Sequence, residues 1–162
     1  MLKKIMETNF KIKPLNHVEF SGYFELTNLE LEKIGAIKMI VDKFPGFPCR
    51  ISLEDAQIGE EVILLPYNHH KTTSPYQASG PIFIRNKNST PTFEINQIPQ
   101  LFNHRLLSLR GYDKNGIMKE ASVIEGKTLK EHIIKTFGNE KIDYIHIHNA
   151  RPGCYNCLVE RA

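Results

Sequence analysis

The dipeptide Asn115-Gly116 constrains the fold more than any other feature of the sequence. It lies between residues 105–112 and 117–124, two runs in which apolar and polar side chains alternate. Alternation is typical of a half-buried strand, and Asn-Gly is strongly preferred in the tight turns of β-hairpins. The sequence therefore predicts a hairpin. Its first strand has Leu107 and Leu109 on one face, and Ser108, Arg110 and Tyr112 on the other.

Local signals place the other helices and strands. Two pairs have the spacing of a capping box, Thr27 with Glu30 and Thr128 with Glu131. They predict a short helix over 28–34 and a second helix that ends at Gly138. Further strands are expected over 36–41, 50–53, 61–65, 81–85, 142–148 and 154–159, with a polar loop over 68–75.

The order of these elements predicts an α+β fold. We expect a mostly antiparallel sheet, curled or closed into a partial barrel, with two or three short helices. A crossover is expected at the helix that ends at Gly138, because strands precede and follow it. The chain has 162 residues, which suits a single domain over 1–162 with a loose N-terminal arm at 1–9.

Composition narrows the function classes. A net charge of +3 without a block of Lys or Arg does not indicate a nucleic-acid partner. No apolar run approaches the roughly 20 residues of a membrane span, so no membrane partner is expected. The three cysteines are an odd number and cannot all pair within one chain, so we expect free thiols and a cytoplasmic location.

Two histidines near the C-terminus form a candidate metal site. Period-two alternation places His146 and His148 on one face of a strand, where both could ligate a transition metal. If the following turn contains an even number of residues, Tyr155 and Cys157 share that face; if it contains an odd number, Cys154 does. A polar sheet face exposed to solvent explains the same pattern without a metal.

A reactive thiol is a second candidate. Cys154 follows Arg-Pro-Gly and Cys49 precedes Arg50, so a guanidinium could favour either thiolate. His148 or His69 could then serve as the base of a catalytic Cys-His pair. The competing interpretation is that these cysteines are small buried hydrophobic residues.

The arginines indicate a third kind of site, because all of them fall within or at the ends of apolar strand runs. A guanidinium on a sheet face needs a carboxylate or an anionic ligand as its partner. Ser79, before the strand of Arg85, could add a backbone oxyanion nest. Structural salt bridges are the alternative, since carboxylates are available at Glu54, Asp55, Asp113 and Glu160.

Three segments, 44–53, 74–85 and 148–155, resemble the bacterial domain-of-unknown-function family 1203. Proteins of that family are about this long, and no activity is established for it. The residues that match its pattern are Cys49, Arg50, Ser79, Arg85, His148, Arg151 and Cys154. Cys157 and His146 are not fixed features of the pattern, which shifts the expectation from the metal site toward Cys154, His148 and the arginines.

The hypothesis that follows is a small cytoplasmic protein with an arginine-rich pocket for a small anionic ligand. The expected ligand-binding residues are Arg50, Ser79, Arg85, Arg110 and Arg151, with Tyr155 as a further candidate. One alternative is a metal- or cysteine-dependent hydrolase or transferase that uses Cys154 or Cys49 with His148. Another is a protein-interaction module without a pocket.

Overall fold

The predicted hairpin forms one edge of a five-stranded antiparallel sheet in the computed structural model, which describes residues 8–162. The strands are β1 (Phe10–Lys13), β2 (Ile37–Ile40), β3 (Glu61–His70), β4 (Ala78–Arg85), β5 (Leu106–Tyr112), β6 (Met118–Glu125), β7 (Tyr144–Asn149) and β8 (Tyr155–Arg161). The helices are α1 (Asn28–Lys33) and α2 (Leu129–Phe137), with 3₁₀ turns at His17–Phe20, Tyr23–Glu25, Gln100–Phe102 and Gly126–Thr128.

Two antiparallel sheets make up the architecture. The larger has the order β1-β8-β7-β5-β6, and the smaller has the order β2-β3-β4. Neither sheet closes into a barrel. The predicted α+β class with antiparallel, curled sheets and short helices is therefore confirmed.

The predicted crossover is present. Strand β5 pairs with both β6 and β7, so those two strands run parallel to each other on either side of it. Helix α2 connects them and buries Leu129, Ile133 and Phe137 against the larger sheet. Ile134 of the same helix is 37% exposed.

Only one of the two predicted capping boxes forms. The Thr27 side chain accepts a hydrogen bond from the Glu30 N–H, and the Glu30 carboxylate accepts one from the Thr27 N–H. The Thr128 hydroxyl instead donates to the Glu125 carbonyl at 2.7 Å. The 3₁₀ turn that precedes α2 brings this carbonyl within reach and uses the hydroxyl before it can cap the helix.

One predicted strand does not form, and another is longer than predicted. Residues 50–53 form a turn rather than a strand, because the Leu53 N–H donates to the Cys49 carbonyl and closes a loop. Strand β3 continues to His70, through the start of the predicted loop over 68–75, because β4 pairs with it along this length. The second correction matters for the site, since it places His69 and His70 on a strand.

The N-terminal arm predicted over 1–9 falls largely on residues 1–7, which lie outside the described residues. Asn9 is within them, and its carbonyl accepts a hydrogen bond from the Ala162 N–H at 3.0 Å. Within residues 8–162, no helix has the length and apolar character needed to cross a membrane.

Gly126, at the junction of β6 and α2, offers a test of the packing. A Cβ there would lie 1.6 Å from the Phe102 carbonyl oxygen, while one at Gly80 on β4 would contact nothing within 4 Å. We expect Gly126→Ala to lower the free energy of unfolding by at least about 2 kcal/mol, since backbone must shift. Gly80→Ala should change it by less than about 0.5 kcal/mol in the same urea titration. Equal effects of the two substitutions would contradict the packing described for Gly126.

Candidate functional site

The polar face of the larger sheet carries four of the predicted site residues, Arg110, His146, His148 and Tyr155. On β7, His146 lies opposite Arg110 of β5, and His148 lies opposite Ser108. Across the other edge of β7, His148 lies opposite Tyr155 of β8. Side chains directly opposite each other on an antiparallel pair share a face, so these five residues lie side by side.

A bulge corrects the predicted facing of β8. Cys157 lies opposite Ile147, whereas Tyr155 lies opposite His148, so the pairing shifts by one residue at Asn156. Tyr155 therefore shares the histidine face, while Cys157 is buried in the core on the other side. Neither predicted turn length gives this arrangement, because the extra residue lies within the strand rather than in the turn.

The end of β3 covers part of this face. The ring of His69 lies 5.0 Å from that of His148 and stacks on Tyr155, with 5.1 Å between centroids and 12° between planes. The ring of His70 lies 4.9 Å from that of His146. We call these four histidines, His69, His70, His146 and His148, the imidazole cluster.

Hydrogen bonds fix the tautomers of two rings. Nδ1 of His148 lies 2.9 Å from the Gly153 carbonyl oxygen, and Nδ1 of His70 lies 2.7 Å from the Tyr76 carbonyl oxygen. A carbonyl only accepts, so each Nδ1 carries the proton and each Nε2 presents a lone pair. Nε2 of His70 accepts from the Tyr144 hydroxyl at 2.5 Å.

Three ring nitrogens of the cluster are buried without a hydrogen-bond partner among the described residues. They are Nδ1 of His69, Nδ1 of His146 and Nε2 of His148. Buried polar atoms in folded proteins rarely lack a partner, so each of these atoms calls for a ligand, a water molecule or a functional explanation.

Three rings of the cluster, those of His69, His146 and His148, are held neutral. Burial lowers the pKa of His146 to about 2, that of His148 to about 3 and that of His69 to about 4. The positive charge of Arg110 lowers all three further. Protonation of any of these rings would place a charge in a poorly solvated site beside a guanidinium.

Arg50 joins the two sequence segments that flank this region. Its side chain is 1% exposed; Nε donates to the Tyr155 carbonyl at 2.7 Å and Nη1 donates to the Pro48 carbonyl. Burial lowers the pKa of Arg50 to about 10. Within the described residues the guanidinium forms no salt bridge with a carboxylate. Its contact with Pro48 lies within the 47–53 loop, and its contact with Tyr155 attaches this loop to β8.

Arg85 and Ser79 lie away from the imidazole cluster. Arg85 binds both carboxylate oxygens of Glu60, at 2.9 and 2.6 Å, and also donates to Glu54 at 3.0 Å. This is the structural salt bridge that the sequence offered as the alternative to an anion site. Ser79 is exposed on β4, beside a different cavity near Gly35 and Pro81.

Arg151 lines a cleft of about 590 Å³. Its walls come from the loop before Cys49, from residues 103–106, from the β6–α2 junction and from the β7–β8 turn. We call it the basic cleft, because its charged side chains are Arg105, Lys127, Arg151 and a single acid, Glu125.

The cations of the basic cleft differ in their pairing. Arg105 binds Asp55, with Nη1 2.9 Å from Oδ2 and Nη2 2.5 Å from Oδ1. Lys127 lies 3.1 Å from Glu125, and both side chains are more than 60% exposed, so this pair contributes little. Arg151 is exposed and forms no salt bridge within residues 8–162.

Among the described residues, no thiol is hydrogen-bonded to a histidine. Cys154 is half-buried, and its Sγ donates to the Pro152 carbonyl at 4.0 Å. The Nδ1–H of the neighbouring His148 donates to the Gly153 carbonyl. Cys49 is buried, and its Sγ accepts from the N–H groups of Ser52 and Arg85. Burial raises the pKa of Cys157.

The predicted metal ligands His146 and His148 lie on one face, as expected. Within the part of the chain that the structure describes, however, no three or more His, Cys, Asp or Glu side chains are arranged to hold a metal ion. The proximity of His69 and His70 to β7 was missed by sequence reasoning, because it depends on how the two sheets pack. Lys127 was missed because no local pattern distinguishes it from other surface lysines.

The neutral rings of His69, His146 and His148 predict that acid destabilises the folded protein. An unfolded histidine takes up a proton near pH 6.5, whereas these folded rings do so only at much lower pH. The free energy of unfolding should therefore change little above about pH 7 and fall as the pH drops below about 6.5. His146→Gln should reduce this slope by up to about 1.4 kcal/mol per pH unit in urea titrations. An unchanged slope would contradict a neutral His146 in the folded protein.

Comparison with known proteins agrees with the resemblance drawn from the sequence. A family model described as "Protein of unknown function (DUF1203)" matches residues 46–161. No curated protein matches the chain, and no solved structure does. The matched range contains β3 to β8, the basic cleft and the imidazole cluster. Because the match covers most of its length, the chain belongs to the DUF1203 family.

Proposed function

We propose that the protein binds a small anionic molecule in the basic cleft. The observation that carries this proposal is the exposed guanidinium of Arg151, which forms no salt bridge within residues 8–162 and lines a cleft of about 590 Å³. A planar guanidinium can bind a carboxylate or phosphate through two parallel hydrogen bonds. The ligand would therefore be held chiefly by Arg151.

The other charged side chains of the cleft also favour an anionic ligand. Lys127 is highly exposed and only loosely paired with Glu125, so it can turn toward an anion at small cost. Arg105 is engaged by Asp55 and serves as part of the wall rather than as a free cation. An anion in the cleft would meet Arg151 and Lys127 with one acid, Glu125, nearby.

The wall of the cleft is rigidly supported. Pro48 lines it and is held by the Nη1 donation from Arg50, while Asn149 lines it and accepts from the Asn156 side chain at 2.8 Å. The Gly153 N–H also donates to the Asn149 carbonyl, which closes the turn that carries Arg151. A supported wall lowers the conformational entropy lost when a ligand binds.

Free thiols support a reducing compartment. The described cysteines Cys49, Cys154 and Cys157 are all free. Disulfides are rare in the cytosol, where thiols are kept reduced, so the cytoplasm is the location we propose.

Anion binding can be tested by isothermal titration with inorganic phosphate and, separately, citrate. We expect Arg151→Ala to weaken the binding of at least one of them by about tenfold or more, which corresponds to about 1.4 kcal/mol. Lys127→Ala should weaken it less, because this side chain is more mobile. Lys130→Ala, an exposed lysine on α2 outside the cleft, is the charge-matched control. Equal affinities of the Arg151→Ala and Lys130→Ala proteins would contradict the proposal.

A further inference from the structure

The polar face of the larger sheet is only half covered. The ring of His69 lies beside His148 and Tyr155, and the ring of His70 lies beside His146 and Tyr112. Farther along β5 and β6 the face is open. There Ser108 and Arg110 are half-buried, and Ala121 and Val123, which lie opposite them on β6, are exposed. The edge of the imidazole cluster thus borders an open patch made of Ser108, Arg110, Ala121 and Val123. We call this border the step and the open patch its floor.

A cation lies on the floor of this step. Within residues 8–162, Arg110 forms no salt bridge with a carboxylate, and its Nε lies 3.4 Å from Oγ of Ser108. The guanidinium has donors left over, and the Ser108 hydroxyl can rotate to donate as well. Together they offer several hydrogen-bond donors and one positive charge to a molecule bound at the step.

The wall of the step offers an acceptor. His148 is 0% exposed, and its Nδ1–H is committed to the Gly153 carbonyl. Its Nε2 therefore presents a lone pair, and no described group donates to it. His148 lies directly opposite Ser108 on the same face, so its ring is a neighbour of the Ser108 side chain.

We propose that this step is a second binding site, distinct from the basic cleft, and that it takes an oxyanion which still carries a hydroxyl proton. Hydrogen phosphate and phosphate monoesters in their singly charged form belong to this class. Their charged oxygens accept from Arg110 and Ser108, and their P–O–H group donates to Nε2 of His148. Rotation of the half-buried His69 ring, which stacks on Tyr155, gives the ligand access to that nitrogen.

The lone pair on Nε2 of His148 makes the site selective for phosphate over sulfate. Sulfate has nearly the size and shape of phosphate but has no proton at neutral pH. Bound at the step, it would place an unshared oxygen lone pair against that of the His148 Nε2, which leaves a buried acceptor unsatisfied and adds repulsion. Sites that rely on a hydrogen bond to one partner reject analogues that lack it far more strongly than apolar sites do.

Two other occupants explain the unpartnered Nε2 of His148 and the charge of Arg110 less well. The described histidines are not arranged to hold a metal ion with a third His, Cys, Asp or Glu. A water molecule could donate to Nε2 of His148, but it would leave the charge of Arg110 without a counter-ion.

The test is isothermal titration with inorganic phosphate and with sulfate at constant pH near 7.5 and constant ionic strength. It is performed on the Arg151→Ala protein, so that the basic cleft does not contribute. We expect phosphate to bind at least about tenfold more tightly than sulfate. Adding Arg110→Ala should weaken phosphate binding by about tenfold or more, while adding Lys119→Ala, an exposed cation of β6, should leave it unchanged.

Three results would overturn this proposal: no phosphate binding to the Arg151→Ala protein, equal affinities for sulfate and phosphate, or phosphate binding that does not depend on Arg110. The comparison of phosphate with sulfate needs no change at the step, so it is informative even if Arg110→Ala destabilises the fold. Failure here would leave binding in the basic cleft untouched, since that proposal depends on Arg151.

Discussion

The buried guanidinium of Arg50 is the contact on which the functional region depends. It donates to the carbonyls of Pro48 and Tyr155, which lie on segments far apart in the sequence. Removing a guanidinium from water is costly, and within the described residues no carboxylate repays that cost with a salt bridge. The two carbonyls instead accept hydrogen bonds from the guanidinium, which would otherwise be buried with unsatisfied donors.

The consequences of this contact reach both proposed sites. One of its partners, Pro48, lines the basic cleft, and the other, Tyr155, lies beside His148 and under His69. The protein therefore places an open cationic cleft and the imidazole cluster on either side of one arginine. Lys127 and Arg151 in the cleft are exposed and can adapt to a ligand, whereas His70 and His148 are fixed by packing and by their hydrogen bonds.

Sequence reasoning succeeded where the cause was local. The Asn115-Gly116 turn, the Thr27–Glu30 capping box and the shared face of His146 and His148 follow from neighbouring residues. It failed where tertiary contacts decide the outcome, as for the bulge at Asn156 and the covering of β7 by His69. Arg85 and Arg151 both end or follow apolar runs, yet Arg85 is paired with Glu60, while Arg151 lines a cleft and has no salt bridge among residues 8–162. Only the packing of the loops distinguishes them.

Hydrogen–deuterium exchange of Arg50→Lys against the wild type tests the role of Arg50 most directly. A lysine has one ammonium in place of the planar fork and cannot reach both carbonyls in the same way. We predict faster exchange in peptides that cover 46–53 and 153–157, with no change in the hairpin of β5 and β6. Arg85→Lys, at a surface salt bridge, should leave 153–157 protected. Unchanged exchange in Arg50→Lys would contradict the claim that Arg50 holds these segments together.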